Sequence, residues 1–312
     1  MKITCVEPLG ISQAQFEELG KEFAAMGHDF SFYLDRKEDE CTLVDRMKEA
    51  DVAVISNIRL SENVLAHCPN LKMLSVAFTG LDHIDLEYCK NHGILVKNAA
   101  GYSTVAVSEL AVGLMLDVLR NITRLDGETR HEGSRGLFLG RELHGKTVGV
   151  VGTGAIGTAT LRLLKAFGCN LMAYSRSQRQ EVMDMGVRYC DLDTLMQQCD
   201  IVSLHVPLNN DTFHLIGKHE LSLMKPTAIL INTARGNVVD IEALAEALND
   251  FRLAGAGIDV YEKEPPLELD HALLTAHNCV VVPHIGYATR EAFDIRAGIV
   301  FDNVRHFLKG EK

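Results

Sequence analysis

The stretch Lys146-Thr-Val-Gly-Val-Val-Gly-Thr-Gly-Ala-Ile-Gly157 decides the fold of this chain. A β-branched run leads into three glycines, and apolar residues then recur at helical spacing as far as Phe167. This order predicts a strand, a tight turn and a helix. Gly152 permits the turn, Gly154 lets a ligand approach the backbone, and Gly157 lets the helix pack closely on the strand.

The first turn of such a helix suits a pyrophosphate. Its N–H groups have no partner within the helix, and the helix dipole favours an anion at this end. We therefore predict a dinucleotide-binding loop that includes Ala155 and Ile156 as well as the three glycines. A glycine-rich structural turn is the alternative, and the flanking strand and helix disfavour it.

Composition limits the possible functions. A chain of 312 residues with 47% apolar and 23% charged residues is long enough for two globular domains. The net charge of −11 argues against nucleic acid as a partner. No signal sequence or membrane-spanning apolar run is visible, so we expect a soluble, cytoplasmic protein without membrane contact. The eight cysteines show no Cys-x-x-Cys spacing and are expected to be reduced, packed thiols.

Strands and helices alternate on both sides of the glycine loop, which predicts parallel sheets with right-handed crossovers. The fold class is therefore α/β, with two doubly wound, Rossmann-like parallel-sheet domains and a cleft between them. We expect a substrate-binding domain at residues 1–99, completed by a C-terminal helix within 288–312, and a dinucleotide-binding domain at residues 100–287. The β-rich runs are Ile3–Val6, Phe30–Leu34, Val52–Ile55, Leu71–Val76 and Ile94–Val96, then runs near 169–174, 187–189, 200–204, 227–232, 253–258 and 280–283.

Two long helices are predicted outside this alternation. The segment from Ser103 to Arg124 is apolar on most faces, so the helix must be buried on several sides. It is either a plain core helix or one shared between the domains and a second subunit. The segment from Tyr287 to Leu308 is predicted to pack against the first domain.

Three charged residues follow predicted strands in the second half, at the edge where a parallel sheet binds its ligands. Arg235 follows Ile229-Leu-Ile-Asn-Thr-Ala, Glu264 follows Gly257-Ile-Asp-Val-Tyr-Glu-Lys, and His284 follows Val280-Val-Val-Pro. An arginine can hold a carboxylate and polarise a carbonyl, a histidine can protonate a developing alkoxide, and a carboxylate can keep that histidine protonated. These are the groups needed to reduce a 2-keto acid by hydride transfer, although each alone would be an ordinary loop residue.

With the glycine loop and these spacings, the chain resembles the D-isomer-specific 2-hydroxyacid dehydrogenase family from about Val52 to Leu308. The matching segments besides the loop are Phe78-Thr-Gly-Leu-Asp-His-Ile-Asp85, Asn98-Ala-Ala-Gly-Tyr-Ser-Thr-Val-Ala-Val-Ser-Glu-Leu110, His205-Val-Pro-Leu-Asn-Asn-Asp-Thr212, Asn232-Thr-Ala-Arg-Gly236, Asp259-Val-Tyr-Glu-Lys-Glu-Pro265 and Pro283-His-Ile-Gly-Tyr-Ala-Thr-Arg-Glu291.

The resemblance implies catalytic roles for the three charged residues, NAD or NADP as cofactor, and a small 2-keto or D-2-hydroxy acid as substrate. It implies that backbone N–H groups near Thr79 and Gly80 hold the substrate carboxylate, together with Arg235 and His284. It also makes the long helix a dimer element, so a homodimer is expected. Asp259 is implied to contact the nicotinamide carboxamide, and the other implied cofactor residues are Thr104, His205, Pro207, Thr212, Thr233, Ala234, His284 and Gly286.

Three residues near the implied substrate keep two interpretations. Tyr102 points toward substrate or packs in the core. Arg59 meets a substrate phosphate or is an exposed arginine at a strand end, and Asn57 is similarly ambiguous.

One departure from the family pattern concerns the cofactor. The eighteenth residue after Gly157 is Ser175, where NAD-preferring members have an acidic residue that binds the adenosine ribose hydroxyls. The segment Ser175-Arg176-Ser177 instead offers a cation and two hydroxyls for a 2′-phosphate, so it favours NADP over NAD.

Two other functions share part of this pattern. An L-lactate or malate type of dehydrogenase would have its glycine loop near the start of the chain rather than at residue 152. A dinucleotide-sensing corepressor of the same fold would keep all three charged residues. It remains the alternative to catalysis.

Overall fold

Short β-branched runs form the strands of two parallel sheets in the computed structural model, which describes residues 1–264 and 266–311. The chain divides into two units, one formed by Met1–Ser103 and the segment from Ala288 onward, the other by Thr104–Tyr287. The α/β class with two doubly wound parallel sheets is confirmed.

The first unit contains five parallel strands in the order β2-β1-β3-β4-β5. From β1 the chain crosses to β2 on one side of the sheet, and the later strands β3, β4 and β5 are added in turn on the other side. The point between β1 and β3 is therefore the switch point, as in a flavodoxin-like sheet. The strands are β1 (Lys2–Cys5), β2 (Asp29–Phe32), β3 (Val52–Ile55), β4 (Met73–Val76) and β5 (Leu95–Asn98), and the helices between them are α1 (Gln13–Ala25), α2 (Glu40–Met47), α3 (Glu62–Ala66) and α4 (Leu86–Asn91).

The C-terminal helix α12 (Arg290–Leu308) belongs to this first unit. Thr289 caps its N-terminus by accepting the N–H of Ala292. Arg296 is buried and donates to the carbonyl of Leu9 at 2.6 Å, and Ser75 on β4 donates to the carbonyl of Val300 at 2.9 Å. The helix begins three residues later than the predicted Tyr287, because the cap at Thr289 fixes its start.

The second unit contains seven parallel strands in the order β12-β11-β10-β9-β6-β7-β8, and its switch point lies between β6 and β9. The strands are β6 (Thr147–Val151), β7 (Asn170–Tyr174), β8 (Arg188–Tyr189), β9 (Ile201–Leu204), β10 (Ile229–Asn232), β11 (Gly255–Ile258) and β12 (Cys279–Val281). The helices are α5 (Thr104–Arg120), α6 (Ile122–Arg130), α7 (Ala155–Ala166), α8 (Gln180–Met183), α9 (Leu192–Gln198), α10 (Lys218–Leu223) and α11 (Ile241–Asn249), with 3₁₀ turns at Gly236–Val238 and Ala272–Leu274.

Alternate residues of the central strands face two separate apolar layers. Ile229 and Ile231 on β10 pack in the layer that contains α5, whereas Leu230 between them packs in the layer that contains α11. This period of two is that of a sheet covered on both faces. The central strands are therefore apolar at nearly every position.

The helix predicted from Ser103 to Arg124 is two helices. The prediction of one continuous helix was wrong, because Asn121 adopts a left-handed conformation with φ of 50° and ends α5. Asp117 then accepts the backbone N–H of Thr123 at 2.8 Å in the first turn of α6. Ile84 pairs with Leu60 in an isolated parallel bridge.

Among residues 1–264 and 266–311, no helix combines the length and hydropathy needed to cross a bilayer.

Candidate active site

Two of the three glycines in the loop after β6 are required for steric reasons, and the third is not. Gly152 has a φ of +97°, and a Cβ there would lie 2.6 Å from the carbonyl oxygen of His205. A Cβ on Gly157 would lie 1.9 Å from the carbonyl oxygen of Gly152. Gly154 differs, because a Cβ there would meet nothing within 4 Å. It caps α7 without a side-chain bond, and Ala155 beside it is exposed, so the helix N-terminus is open to an anion.

Two polar atoms near the same edge of the sheet have no hydrogen-bond partner among residues 1–264 and 266–311. His205 follows β9, on the other side of the switch point from the glycine loop, and its Nε2 hydrogen-bonds to Ser203 Oγ at 2.9 Å. Its Nδ1 is buried, as is the Oγ1 of Thr233, which follows β10, and neither atom has a partner in the part of the chain that the structure describes. Burial lowers the pKa of His205 to about 4, so the imidazole is neutral at physiological pH. Unpaired polar atoms beside an open helix N-terminus fit a dinucleotide.

The loop after His205 closes on itself. Thr212 Oγ1 donates to the carbonyl of Pro207 at 2.6 Å, and both residues lie on the carboxyl side of β9. Ala234 donates its backbone N–H to Asn232 Oδ1 at 3.0 Å, next to Thr233. Thr104 is the first residue of α5. These predicted cofactor residues all belong to the second unit.

The segment after β7 carries the predicted cofactor selectivity. Ser175 is half-buried, and Arg176 and Ser177 are exposed. Arg176 Nη1 lies 3.5 Å from Asp211 Oδ2, and both side chains are largely exposed. The structure therefore adds one carboxylate next to Arg176 that the sequence analysis did not identify, because Asp211 lies 35 residues away.

Arg235 lies three residues beyond β10 in extended backbone, with φ of −148° and ψ of 145°. Asn232 Nδ2 donates to its carbonyl at 2.9 Å, and its own Nη1 donates to the carbonyl of Ala234 at 2.7 Å. Gly236 must be glycine, because a Cβ there would lie 1.9 Å from the carbonyl carbon of Tyr261. This close approach fixes the backbone that carries the guanidinium.

His284 and Glu264 form a direct pair, with 2.9 Å between Nδ1 and Oε2. The His284 side chain is 20% exposed and that of Glu264 is 47% exposed. Glu264 contacts His284 through Nδ1, so the carboxylate orients the imidazole by one of its two ring nitrogens. The structure thus brings together Glu264 and His284, two predicted catalytic residues that are 20 positions apart in the sequence.

Asp259 holds the backbone next to His284. Its Oδ1 accepts the N–H of Ile285 at 2.6 Å and its Oδ2 accepts the N–H of Gly286 at 2.9 Å. Its carboxylate is 1% exposed, and burial raises its pKa to about 6. His284 itself has a φ of 53°, so these two bonds secure a strained turn. The sequence signal for this role is an aspartate directly after β11.

The predicted substrate residues of the first unit follow β4 and β5. Thr79 is exposed and Gly80 half-buried, and the carbonyl of Thr79 accepts Asn98 Nδ2 at 2.7 Å. Tyr102 is 3% exposed, and its ring centroid lies 5.7 Å from the guanidinium carbon of Arg296. A contact of Tyr102 with the substrate stays a prediction.

Comparison with known proteins gives a consistent result. The profile of the D-isomer specific 2-hydroxyacid dehydrogenase, NAD binding domain, matches residues 112–286. A glyoxylate reductase from Thermococcus litoralis is 41% identical over 279 residues, which are 86% of this chain and 84% of that protein.

Two solved structures share the fold over the whole chain. An acyclic imino acid reductase in complex with NADPH and D-Arg has a TM-score of 0.90 at 28% identity and covers 100% of this chain and 98% of its own. A D-lactate dehydrogenase from Aquifex aeolicus, complexed with NAD and lactic acid, has a TM-score of 0.85 at 30% identity and covers 100% and 96%. With the profile match and the identity to the Thermococcus protein, these findings show that the chain belongs to the D-isomer specific 2-hydroxyacid dehydrogenase family.

Proposed function

We propose that this protein reduces a small 2-keto acid to the D-2-hydroxy acid, with NADPH as its preferred cofactor. The observation that carries the proposal is the 2.9 Å pair of His284 and Glu264. Both residues follow strands of the parallel sheet that also contains β6, the strand before the glycine loop. An imidazole paired with a carboxylate is suited to donate a proton to an alkoxide. In this proposal the glycine loop binds the cofactor, and the His284–Glu264 pair supplies the proton.

The cofactor class, a nicotinamide dinucleotide, follows from the family. When bound, the dinucleotide supplies the hydride. Gly152, Gly154 and the first turn of α7 would hold its pyrophosphate, and His205 Nδ1 and Thr233 Oγ1 would offer hydrogen bonds along the same edge. In our proposal Asp259 contacts the nicotinamide carboxamide.

The catalytic roles are divided among the three charged residues. Arg235 binds the substrate carboxylate and polarises the keto oxygen. His284 delivers a proton from Nε2 to that oxygen as the alkoxide develops, and Glu264 holds the imidazole through its contact with Nδ1. In oxidation of the hydroxy acid the same imidazole accepts the proton. The backbone N–H groups near Thr79 and Gly80 assist Arg235.

The preference for NADPH rests on the segment after β7. A serine stands where a carboxylate would repel a 2′-phosphate, and Arg176 offers a charged donor beside it. Asp211 beside Arg176 reduces the net positive charge at this point. We propose that Arg176 still binds the dianion, because a phosphate carries more charge than one carboxylate.

The substrate is proposed to be a compact 2-keto acid, glyoxylate among them. A relative at 41% identity is a glyoxylate reductase, and the second structural neighbour holds lactic acid. The corepressor alternative is not favoured, because the named relatives are dehydrogenases and reductases.

A homodimer is proposed from apolar exposure in the second unit. Val105 on α5 and Ile122 on α6 are exposed, and so are Leu137 and Leu139 in the irregular segment that follows. These four exposed aliphatic side chains are the surface that we propose a second copy of the chain covers.

The deciding experiment is a screen of glyoxylate, hydroxypyruvate, pyruvate and larger 2-keto acids with NADPH and with NADH. We expect turnover of at least one compact keto acid, and a His284→Gln variant that still binds the cofactor but loses turnover. Binding of dinucleotide without turnover of any keto acid would favour the corepressor alternative instead.

A further inference from the structure

The segment that carries Glu264 follows β11 as residues 259–264, which form neither a helix nor a strand. Its first half is tied to the neighbouring segment that carries His284. Tyr261 is 4% exposed and donates its hydroxyl to the carbonyl of Val282 at 2.9 Å. The same carbonyl accepts the backbone N–H of His284 at 3.0 Å. Tyr261 therefore fixes the segment as far as position 261, three residues before Glu264.

His271 contacts the second half of this segment at Glu262. Its Nδ1 accepts the backbone N–H of Leu273 at 3.3 Å and so caps the 3₁₀ turn Ala272–Leu274. A ring nitrogen that accepts a hydrogen bond carries no proton, so the ring proton lies on Nε2. This Nε2 lies 3.2 Å from Glu262 Oε1. The side chain of His271 is 11% exposed, and its ring packs edge-on against Tyr261, with 5.7 Å between the ring centroids.

The contact between His271 and Glu262 is close, although it is not a well-aligned hydrogen bond. Nε2 is buried and makes no aligned hydrogen bond within residues 1–264 and 266–311, so its contact with the carboxylate is what offsets its burial. Moving Glu262 away would leave a buried donor without this neighbour, which is costly. Lys263 differs, because its 2.9 Å pair with Glu268 is exposed on both sides and restrains the segment little.

We propose that His271 is a positioning residue for the Glu264–His284 pair. By holding Glu262, it restrains the chain two residues before Glu264 and keeps the Glu264 carboxylate 2.9 Å from His284 Nδ1. This inference rests on the proposed function, in which His284 supplies the proton and Glu264 holds its ring. His271 and Glu262 themselves take no part in proton or hydride transfer. All four residues belong to the second unit.

Conservative substitutions separate this contact from the other roles of the two residues. In His271→Asn the amide oxygen can still cap the turn by accepting the N–H of Leu273, but the shorter side chain no longer reaches Glu262. Glu262→Ala removes the contact from the other side, whereas in Glu262→Gln the amide oxygen can still accept from Nε2. Lys263→Met is the matched control, because it breaks an exposed pair in the same segment.

We expect His271→Asn and Glu262→Ala each to lower kcat for keto acid reduction by about tenfold, as for residues coupled in one network. Glu262→Gln should keep kcat within about twofold of the wild-type value, and Lys263→Met should leave it unchanged. The KM for the dinucleotide should stay at the wild-type value, and urea unfolding should confirm that each variant is folded. His271→Asn should have no further effect in a Glu264→Ala background, because the contact acts through Glu264.

A spectroscopic measurement tests the same contact without any substrate. The imidazole ¹⁵N resonances of His284, identified by their loss in His284→Gln, report the environment of Nδ1 beside Glu264. Glu264→Ala should shift the Nδ1 resonance. His271→Asn and Glu262→Ala should shift it in the same direction, and Lys263→Met should leave it in place.

An unchanged Nδ1 resonance of His284 in folded His271→Asn and Glu262→Ala would overturn the inference. Unchanged kcat in both variants would also overturn it, as would a further loss of kcat when His271→Asn is added to Glu264→Ala. A wild-type protein that reduces no keto acid would instead contradict the proposed function. The resonance of His284 would still decide in that protein whether His271 positions Glu264.

Discussion

At the scale of single residues, strain and charge concentrate around His284. A non-glycine residue in the left-handed region costs about 1–2 kcal/mol, and His284 has a φ of 53°. Asp259 offsets this cost with two charge-assisted backbone bonds to the following residues. The arrangement fixes the backbone of the turn that carries the imidazole, which lies next to Glu264.

Arg235 provides the first test of the assigned chemistry. Lysine keeps the positive charge but loses the planar fork that can contact a carboxylate at two points. We expect Arg235→Lys to lower kcat/KM for the keto acid by at least about a hundredfold, or about 2.7 kcal/mol. Cofactor affinity, measured by fluorescence titration, should be retained. Turnover near the wild-type rate would rule out the assigned role.

Arg176 provides the test of cofactor choice. Replacing it by alanine removes charge-assisted bonds to the 2′-phosphate, so NADPH binding should weaken by about 1.5–3 kcal/mol while NADH binding hardly changes. Asp211→Asn should have the opposite effect on NADPH binding. Removal of the carboxylate 3.5 Å from Arg176 should strengthen NADPH binding by about two- to fivefold. Equal losses for both cofactors in Arg176→Ala would contradict the preference.

His205 should make stability depend on pH. Its pKa is lowered to about 4 in the folded protein by burial, against about 6.5 in an unfolded chain. As pH falls from 6.5 toward 4, the unfolded chain takes up a proton that the folded protein resists, and stability is lost. His205→Gln cannot take up that proton. The difference in unfolding free energy between wild type and this variant should therefore shrink as pH falls, in urea titrations at pH 7, 6 and 5; a constant difference would argue against a neutral buried imidazole.

At the scale of elements, patterning predicted the strands well and the helix ends less well. The strand Val52–Ile55 is found with the predicted bounds, because four β-branched or small apolar residues follow a helix end and precede polar residues. The break at Asn121 was missed, since apolar periodicity continues through it at Ile122 and Leu125. The clue was the residue type, because asparagine tolerates the left-handed conformation that ends a helix.

Substitutions in the glycine loop allow cofactor binding and folding stability to be tested separately. Alanine at Gly154 meets nothing within 4 Å, and its φ of −68° suits any residue, so the unfolding free energy should stay within about 0.5 kcal/mol of wild type. The new methyl group would instead occupy the space next to the helix N-terminus, and dinucleotide affinity should fall by at least about tenfold.

Gly157→Ala is the matched variant in the same loop. Its Cβ would lie 1.9 Å from a backbone carbonyl that cannot rotate away, so stability should fall by at least about 1–3 kcal/mol. Chemical denaturation and cofactor titration of both variants separate the two effects. Loss of stability in Gly154→Ala with unchanged affinity would show that this loop is only structural.

At the scale of the whole molecule, the alternation of elements predicted two parallel sheets, but no sequence pattern predicted their strand orders. The strand order depends on contacts between segments that are far apart in the sequence. The hydrogen bond from Ser75 on β4 to the carbonyl of Val300, 225 positions away, is one such contact. The residues of the candidate site also fall into two groups, those that sequence motifs predict and those that only the structure brings together. Motifs predicted Arg235, Glu264 and His284, whereas the Arg176–Asp211 pair joins residues far apart in sequence and became visible only in the structure.

The proposed dimer gives the prediction at this scale. Leu137 and Leu139 are 98% and 80% exposed in the segment after α6, and burying both against a second copy would remove two large apolar side chains from water. Leu137→Lys combined with Leu139→Lys should convert a dimer into a monomer, measured by size-exclusion chromatography with light scattering. Leu269→Lys is the control, because Leu269 is 95% exposed in a different part of the same unit and should leave the mass unchanged. A wild-type monomer would contradict the proposed dimer. A dimer that survives both substitutions would show that the contact between the two copies lies elsewhere.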